Sequence, residues 1–247
     1  MHEKQDAGRD RDHGHELDNL IWNALEGEQA GFAIGTANAR RFRPEIGPLA
    51  AVRDFSPECL AEFADLVRTT GPLALARSRV AEDTIIPDLE IVRGAQGVQM
   101  VFAGDEAALE AVEHAVADPR IVPLGESDYP EMLALASLTE PGPFAARTGD
   151  LGRFWGLRED GRLLAMAGQR MRTRHHIEVS AVCTHPDGRR RGLAALLSRR
   201  VVAAIRAEGR RPVLHSYTDN ATARALYRRL GFTERSLVRF TQYAPQA

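Results

Sequence analysis

The sequence predicts an α/β fold with a mixed sheet flanked by helices, and three stretches carry that prediction. The run Ile177-Glu178-Val179-Ser180-Ala181-Val182-Cys183-Thr184 alternates like a strand and breaks at His185-Pro186-Asp187-Gly188. It then passes through Arg189-Arg190-Arg191-Gly192 into Leu193, Leu196, Leu197, Val201, Ala204 and Ile205 at helical spacing, with Gly209 as a stop. A second strand, Arg211 to Tyr217, meets a cap at Thr218-Asp219-Asn220 and a helix carrying Ala223, Leu226, Tyr227 and Leu230, closed by Gly231. Strand, helix, strand, helix implies parallel pairing through a right-handed crossover. The third stretch is Glu159-Asp160-Gly161 between Gly152–Arg158 and Arg162–Gly168, a hairpin signal that adds antiparallel pairing to the same sheet.

From the start of the chain, residues 1–16 are rich in His, Asp, Arg, Glu and Gly without apolar periodicity, and are expected to form a flexible tail. His2, His13 and His15 have no cysteine or carboxylate partners at ligand spacing, so no metal site is expected there. Asp18 to Leu25 reads as a short capped helix with Trp22 packed inward, and Pro48 to Val52 as a strand. Ser56 to Ala76 and Ser127 to Ala146 echo one another: each has a Ser start, a helix-like segment and a Gly-Pro, at Gly71-Pro72 and Gly142-Pro143. A degenerate duplication explains the echo, and so does chance. Under duplication Val98 to Phe102 corresponds to the strand before the arginine loop. Ala103-Gly104-Asp105-Glu106 then stands where that loop should be, and its acidity would repel an anion. Arg120 to Leu124 reads as a strand, Asp128 to Leu138 as a helix, His175-His176 as a turn, Trp155 as core, and Thr233 to Tyr243 as a last strand or two.

Composition bounds the function without selecting it. The 247 residues include 32 Lys or Arg against 34 Asp or Glu, so no global charge points to nucleic acid or an anionic membrane. Lys4 is the sole lysine. Two cysteines, Cys59 and Cys183, make no disulfide framework, and no signal peptide or long apolar span is seen. A cytoplasmic protein without a membrane partner is the expectation. The Arg189–Ala194 turn carries a sharper message. A helix N-terminus offers unpaired N–H groups and partial positive charge, Gly192 and Ala194 allow close backbone approach, and three arginines surround them. A diphosphate-bearing ligand is inferred.

With these residues on the page, the chain resembles the GNAT superfamily of N-acetyltransferases. The pattern Gln/Arg-x-x-Gly-x-Gly/Ala is matched by Arg189, Gly192 and Ala194. The later Asn-x-x-Ala-x-x-x-Tyr-x-x-x-Gly-Phe is matched by Asn220, Ala223, Tyr227, Gly231 and Phe232. The resemblance covers about Arg120 to Tyr243 and implies an acetyltransferase fold with a mostly antiparallel sheet. It also resembles tandem proteins of the glycine N-acyltransferase-like branch, whose N-terminal half has lost the cofactor motif. The implied organisation is a tail (1–16), a degenerate acetyltransferase-like half (17–118) and a catalytic domain (119–247).

The resemblance implies direct attack of an amine on the thioester of acetyl-CoA as cosubstrate, without metal. Backbone groups of Val182, Cys183 and Thr184 would take the pantetheine arm and thioester, with an N–H near Val182 facing the oxyanion. Arg189, Arg190, Arg191, Gly192, Leu193 and Ala194 would hold the diphosphate, and Asn220 would touch the cofactor, cap its helix, or do both. Tyr227 matches the acid for the departing thiolate, packing being the alternative. For a general base, Glu178 stands eleven before Arg189, and alternation puts it on the face of Ser180 and Val182. His215, five before Asn220, is a second candidate and a water chain a third. A surface carboxylate and a packed histidine are the plain alternatives. The expected acceptor is a primary amine of a small molecule, amino acid or peptide, with Asp128 to Leu138 lining its side. A homodimer is compatible with the fold. A non-catalytic acyl-CoA-binding or regulatory module is the second reading, and a nucleic-acid partner for Arg189–Arg191, Arg210-Arg211 and Arg228-Arg229 the third and weakest.

Overall fold

The computed structural model describes residues 15–246. A 3-10 turn at Glu16–Asn19 leads into α1 (Leu20–Glu26), followed by β1 (Ala33–Gly35), β2 (Ala39–Phe42), β3 (Leu49–Val52), α2 (Pro57–Thr70), β4 (Leu73–Ser78), β5 (Leu89–Phe102) and α3 (Glu106–Val116). The chain continues with β6 (Ile121–Leu124), α4 (Tyr129–Thr139), β7 (Phe154–Glu159), β8 (Arg162–Arg172) and β9 (His176–Thr184). It ends with α5 (Leu193–Ala207), β10 (Arg211–Tyr217), α6 (Ala221–Arg229) and β11 (Phe232–Pro245).

Local chemistry accounts for the joints. Asp160 and Gly161 both take positive φ, 49° and 80°, the two left-handed residues that a tight hairpin between β7 and β8 requires. Ser56 caps α2 by accepting from the Cys59 N–H, and Asn220 caps α6 by accepting from the Ala223 N–H. The helices α3 and α5 pack on one face of the sheet through Val112, Leu193, Leu197, Val201 and Ile205. On the other face α1 packs through Leu20, Ile21 and Leu25, and α4 through Met132 and Leu135.

The strands form one mixed, mostly antiparallel sheet in the order β1-β2-β3-β4-β11-β5-β10-β9-β8-β7-β6. Only β3 with β4 and β9 with β10 run parallel, each pair linked by a crossover helix, α2 or α5. The mixed α/β architecture read from the sequence is therefore present. The order also has a symmetry that the sequence did not reveal: from β1 inward and from β7 inward the pairings are the same, with β5 and β11 exchanged at the centre. Strand β5 lies between β10 and β11, pairing with both, and β11 lies between β5 and β4.

Across the expected boundary at 118/119, Val98, Met100, Phe102 and Val112 share one core with β9, β10 and α5. The echo between Ser56–Ala76 and Ser127–Ala146 is not a correspondence of position. Helix α2 joins two parallel strands, whereas α4 leads from the sheet edge β6 into antiparallel β7. The counterpart of β9 is β3, not Val98 to Phe102, which belong to β5. The loop after β3 is Arg53-Asp54-Phe55-Ser56, with Asp54 accepting from the Ser56 N–H (2.9 Å), so the start of α2 is already satisfied by the chain itself. Finally, the proposed tail 1–16 lies outside the described residues except for its end. His15 accepts from the Leu17 N–H, and Glu16 bonds His176 and Thr173, so those two residues are part of the fold. Thr233 to Tyr243 forms one long strand, β11, rather than two.

A sheet whose central strands are exchanged should unfold as a unit. Trp22 lies in α1 and Trp155 in β7, so single-tryptophan variants W22F and W155F each report one end of the fold. Urea transitions followed by either residue are expected to coincide. Met100→Ala in β5, a fully buried side chain, should lower both by about 2–5 kcal/mol.

Candidate active site

The parallel strands β9 and β10 pair only at Arg211–His176, Pro212–Ile177 and Val213–Glu178. Beyond that point β9 continues along β8 as far as Thr184, while β10 continues along β5 as far as Tyr217. The two strands therefore part at Glu178, leaving a wedge whose walls are Val179–Thr184 and Leu214–Tyr217.

Within the wedge β9 is irregular. Ala181 takes φ 51°, and the ladder with β8 slips between Met166–Cys183 and Gly168–Ser180. This bulge adds one residue and reverses the alternation. Ile177, Val179 and Val182 all face α5, whereas Ala181 and Cys183 face α4. The regular alternation expected for Glu178, Ser180 and Val182 is corrected accordingly: Val182 lies on the opposite face from Glu178. A bulge frees ladder groups from register, so the Ala181–Val182 backbone is where this strand can offer an N–H to a bound carbonyl.

At the mouth of the wedge, Arg190 and Gly192 adopt positive φ, 62° and 73°, and α5 begins with no side-chain cap. A Cβ at Gly192 would meet nothing within 4 Å, so glycine is favoured there by conformation rather than by space. Among the described residues, the N–H groups of Arg190 to Ala195 have no acceptor. This is the outward-facing donor cluster that binds anions at helix starts. Arg189 and Arg190 are exposed and unpaired among the described residues, but Arg191 forks onto Glu159 at 2.8 and 2.9 Å, so two of the three expected arginines are free to meet a phosphate. Thr184 Oγ1, at the end of β9, is buried without a partner, and Ser198 Oγ on α5 is likewise. The free N–H groups at the α5 start and Thr184 at the end of β9 fit a ligand that brings its own acceptors and donors, as the diphosphate and pantetheine of acetyl-CoA would.

Tyr227 projects from α6 into the buried core beside Phe232, their rings 6.1 Å apart. Burial, and then the proximity of Cys183, raise its hydroxyl to about 12. Cys183 is itself raised to about 11 by burial, which keeps it a thiol. The influence of Cys183 on Tyr227 puts the expected acid near the end of the expected thioester strand. Asn220 performs its capping role, with Oδ1 accepting from Ala223 N–H at 3.0 Å.

Glu178 is not the surface carboxylate that the sequence allowed. Its side chain is 1 % exposed and is held by Arg170 at 2.7 and 3.0 Å and by His215 Nδ1 at 2.8 Å. Burial alone would raise the carboxyl. Arg170 first, then His215, outweigh it and hold Glu178 down at about 2. The two candidate bases thus meet in one cluster at the point where the strands part. His215 lies directly opposite Gln99 of β5, and its Nε2 is 3.2 Å from Gln99 Nε2. A cavity of about 20 Å³ beside them, enough for one water, is lined by His215, Gln99, Arg170 and Asp18 with apolar residues that include Leu17 and Ile21.

Sequence reasoning missed Arg170 and Gln99. Gln99 sits inside the expected strand Val98 to Phe102, whereas Arg170 lies two residues past the expected end of its strand at Gly168, and no local pattern marks a residue whose partner comes from another strand. Among the described residues no group of three or more His, Cys, Asp or Glu is placed to hold a metal, and no helix is long and apolar enough to cross a membrane.

A parallel pair that splays at a bulged strand, with an uncapped helix start at its mouth, defines a class of α/β proteins that can receive an anionic ligand between two strands. Residues 154–241 match the FR47-like protein family model. A GNAT-family protein from Novosphingobium aromaticivorans DSM 12444 is 41% identical, covering 95% of this chain and 100% of its own, with a TM-score of 0.83. A GCN5-related N-acetyltransferase from Kribbella flavida shares the fold at a TM-score of 0.58 and 14% identity, covering 93% of each chain. No curated protein matches the chain. The chain belongs to the GNAT family of acetyltransferases.

The cluster at Glu178 makes a measurable demand on stability. Its folded carboxyl titrates below the unfolded value near ~4.3, so its contribution is complete above that value and is lost as pH falls towards ~2. Arg170→Met leaves a buried carboxylate with one partner fewer, and is expected to lower unfolding free energy at pH 7 by about 3–5 kcal/mol. Because Glu178 would then protonate more readily, the deficit should shrink as pH is lowered to about 4, as read from urea midpoints against pH.

Proposed function

We propose that this protein transfers an acetyl group from acetyl-CoA to the primary amine of a small molecule or peptide, by direct attack in the wedge between β9 and β10. The observation that carries the proposal is the pairing of an uncapped α5 start, flanked by Arg189 and Arg190, with the parting of β9 from β10 around the Ala181 bulge. Acetyl-CoA supplies an activated acyl carbon, and the residues around it supply position.

The free N–H groups of Arg190 to Ala194 would hold the diphosphate, with Leu193 and Ala194 opening the helix directly behind it. Backbone groups of Val182, Cys183 and Thr184 would align the arm, and the bulge N–H at Val182 would donate to the developing oxyanion. Asn220, at the start of α6, stands at the opposite lip. Positioning a neutral amine against the carbonyl removes much of the entropic barrier, so no covalent enzyme intermediate is required.

Tyr227 is assigned to the leaving sulfur. A phenol held near 12 is a weaker acid than a thiol near ~8.5, so its service is a hydrogen bond to the thiolate rather than complete proton transfer. Three of the seven arginines of the nucleic-acid reading are paired away: Arg191 with Glu159 at 2.8 Å, Arg210 with Glu28 at 2.7 Å and Arg228 with Glu234 at 2.5 Å. That favours a small anionic ligand. The symmetry of the sheet supports, as part of the same proposal, a tandem origin similar to the glycine N-acyltransferase-like branch, with the β3–α2 side no longer shaped for a diphosphate.

Two measurements test this reading. Calorimetric titration with acetyl-CoA should show binding that weakens at least tenfold in the double variant Arg189→Ala/Arg190→Ala. Tyr227→Phe should retain that binding yet lose about 10²-fold in kcat for thiol release in the presence of acceptor amines. Retained binding with no release from any amine by the wild type would favour an acyl-CoA-binding module instead.

A further inference from the structure

The arrangement around Glu178 leaves no proton acceptor free, which bears on the acceptor and rests on the acetyl-transfer reading. Glu178 Oε1 accepts from Arg170 and from His215 Nδ1, and Oε2 accepts from Arg170 Nε, with the group shut off from solvent. His215 is equally committed. The amide of Gln99 is fixed from both ends, since its Oε1 accepts from Arg235 Nη1 at 2.9 Å and its Nε2 donates to the Leu17 carbonyl at 2.9 Å. The same Nε2 therefore presents its other hydrogen to His215 Nε2, which must carry a lone pair, and the ring proton sits on Nδ1 facing Glu178. Taking up a proton at Nε2 would set two donors face to face. Gln99 cannot turn over to relieve this, because Arg235 and Leu17 would then meet like groups.

The surrounding charges are committed too. Arg170 comes from β8, and Arg235 from β11 pairs with Asp18 at 2.8 Å. Asp18, from the turn before α1, is also held by Arg79 at 3.2 Å. Tyr217 follows on β10, packed on Phe240, while burial keeps Cys183 and Tyr227 protonated. The position that the sequence suggested for a general base is thus occupied by a closed hydrogen-bond chain, Arg170–Glu178–His215–Gln99–Arg235–Asp18.

We propose that the acceptor is a weakly basic primary amine that arrives already unprotonated, the α-amino group at a peptide N-terminus, rather than the side-chain ammonium of lysine or a polyamine. At pH 7.4 an α-amine with pKa near ~7.8 is about one quarter neutral, against about one in a thousand for a lysine amine near ~10.4. The step balances without an enzyme base. The amine lone pair forms the C–N bond and the C–S bond breaks. The nitrogen, acidic once it has bonded to the acyl carbon, gives its proton to the departing thiolate, so neutral amine and thioester become amide and thiol. Gln99 and Arg170 act as positioning residues that keep His215 and Glu178 out of this proton path.

The test measures thiol release by the wild-type protein with acetyl-CoA and two acceptors, alanylglycine amide and Nα-acetyllysine amide, from pH 6 to 10. The expected kcat/KM rises with unit slope to a plateau at each acceptor's own pKa, and at pH 7.4 favours the peptide N-terminus by at least a hundredfold. A bend at one pH shared by both acceptors, or equal turnover of the two, would overturn the proposal by exposing an enzyme base. In parallel, the ¹⁵N spectrum of the His215 ring at pH 7.5 should show Nδ1 protonated and Nε2 bare. The reverse tautomer would sink the lone-pair argument whether or not an acceptor is turned over. Failure of acetyl-CoA to bind at all would identify the acetyl-transfer reading as the fault, and the proposal would fall with it.

Discussion

A carboxylate buried where two parallel strands separate is the constraint around which this molecule is arranged. Parting β9 from β10 opens a place for a ligand but leaves strand ends without their ladder, and Glu178 sits at that point with almost no access to water. An ion there is tolerable only if every lone pair is answered. The answers come from four directions: Arg170 across the hairpin, His215 from the neighbouring parallel strand, Gln99 behind His215, and Arg235 with Asp18 behind Gln99. Each is delivered by a different element, so the register of β8, β10, β5 and β11 and the seating of the N-terminal turn are all tied to one charge.

The same arrangement explains why the first half of the chain belongs to the site although it lacks the phosphate loop. Gln99 is the cross-strand neighbour of His215 only because β5 occupies the position between β10 and β11. The turn at Glu16–Asn19 closes over the same face, with the Leu17 carbonyl and Asp18 side chain completing the chain of hydrogen bonds. On the opposite side of the symmetry, the loop Arg53–Ser56 satisfies its own helix start and leaves nothing for an anion. The two halves are thus alike in connectivity and unlike in chemistry.

How far the sequence could be read follows from the range of each signal. The Arg189–Ala194 loop, the Asn220 cap, the Tyr227 helix and the Asp160-Gly161 turn are local patterns, and each lies where expected. The pairing of β9 with β10 was legible because a crossover helix enforces it. The exchange of β5 with β11 left no trace in periodicity, since a strand reads the same whichever strand it pairs with. The Ala181 bulge was hidden because alanine carries no mark of a left-handed residue, and it moved Val182 to the face that simple alternation denied it. Glu178 and His215 were noticed singly, by spacing. Their contact with each other, and the Arg170 and Gln99 that control them, depend on register between distant strands, which a single sequence does not display.

The exchanged central strands also shape how the chain comes into being. As the protein emerges from a ribosome, β5 leaves the tunnel early, carrying Val98, Met100 and Phe102 on an unpaired edge. Its neighbours β10 and β11 do not exist until synthesis has passed Tyr217 and then Pro245. Throughout that interval the unpaired backbone of β5 is a template for any other strand, including that of a second nascent chain. Closure of the sheet thus waits for β10 and β11, and the face on which Gln99 seats against His215 exists only once both strands have been made.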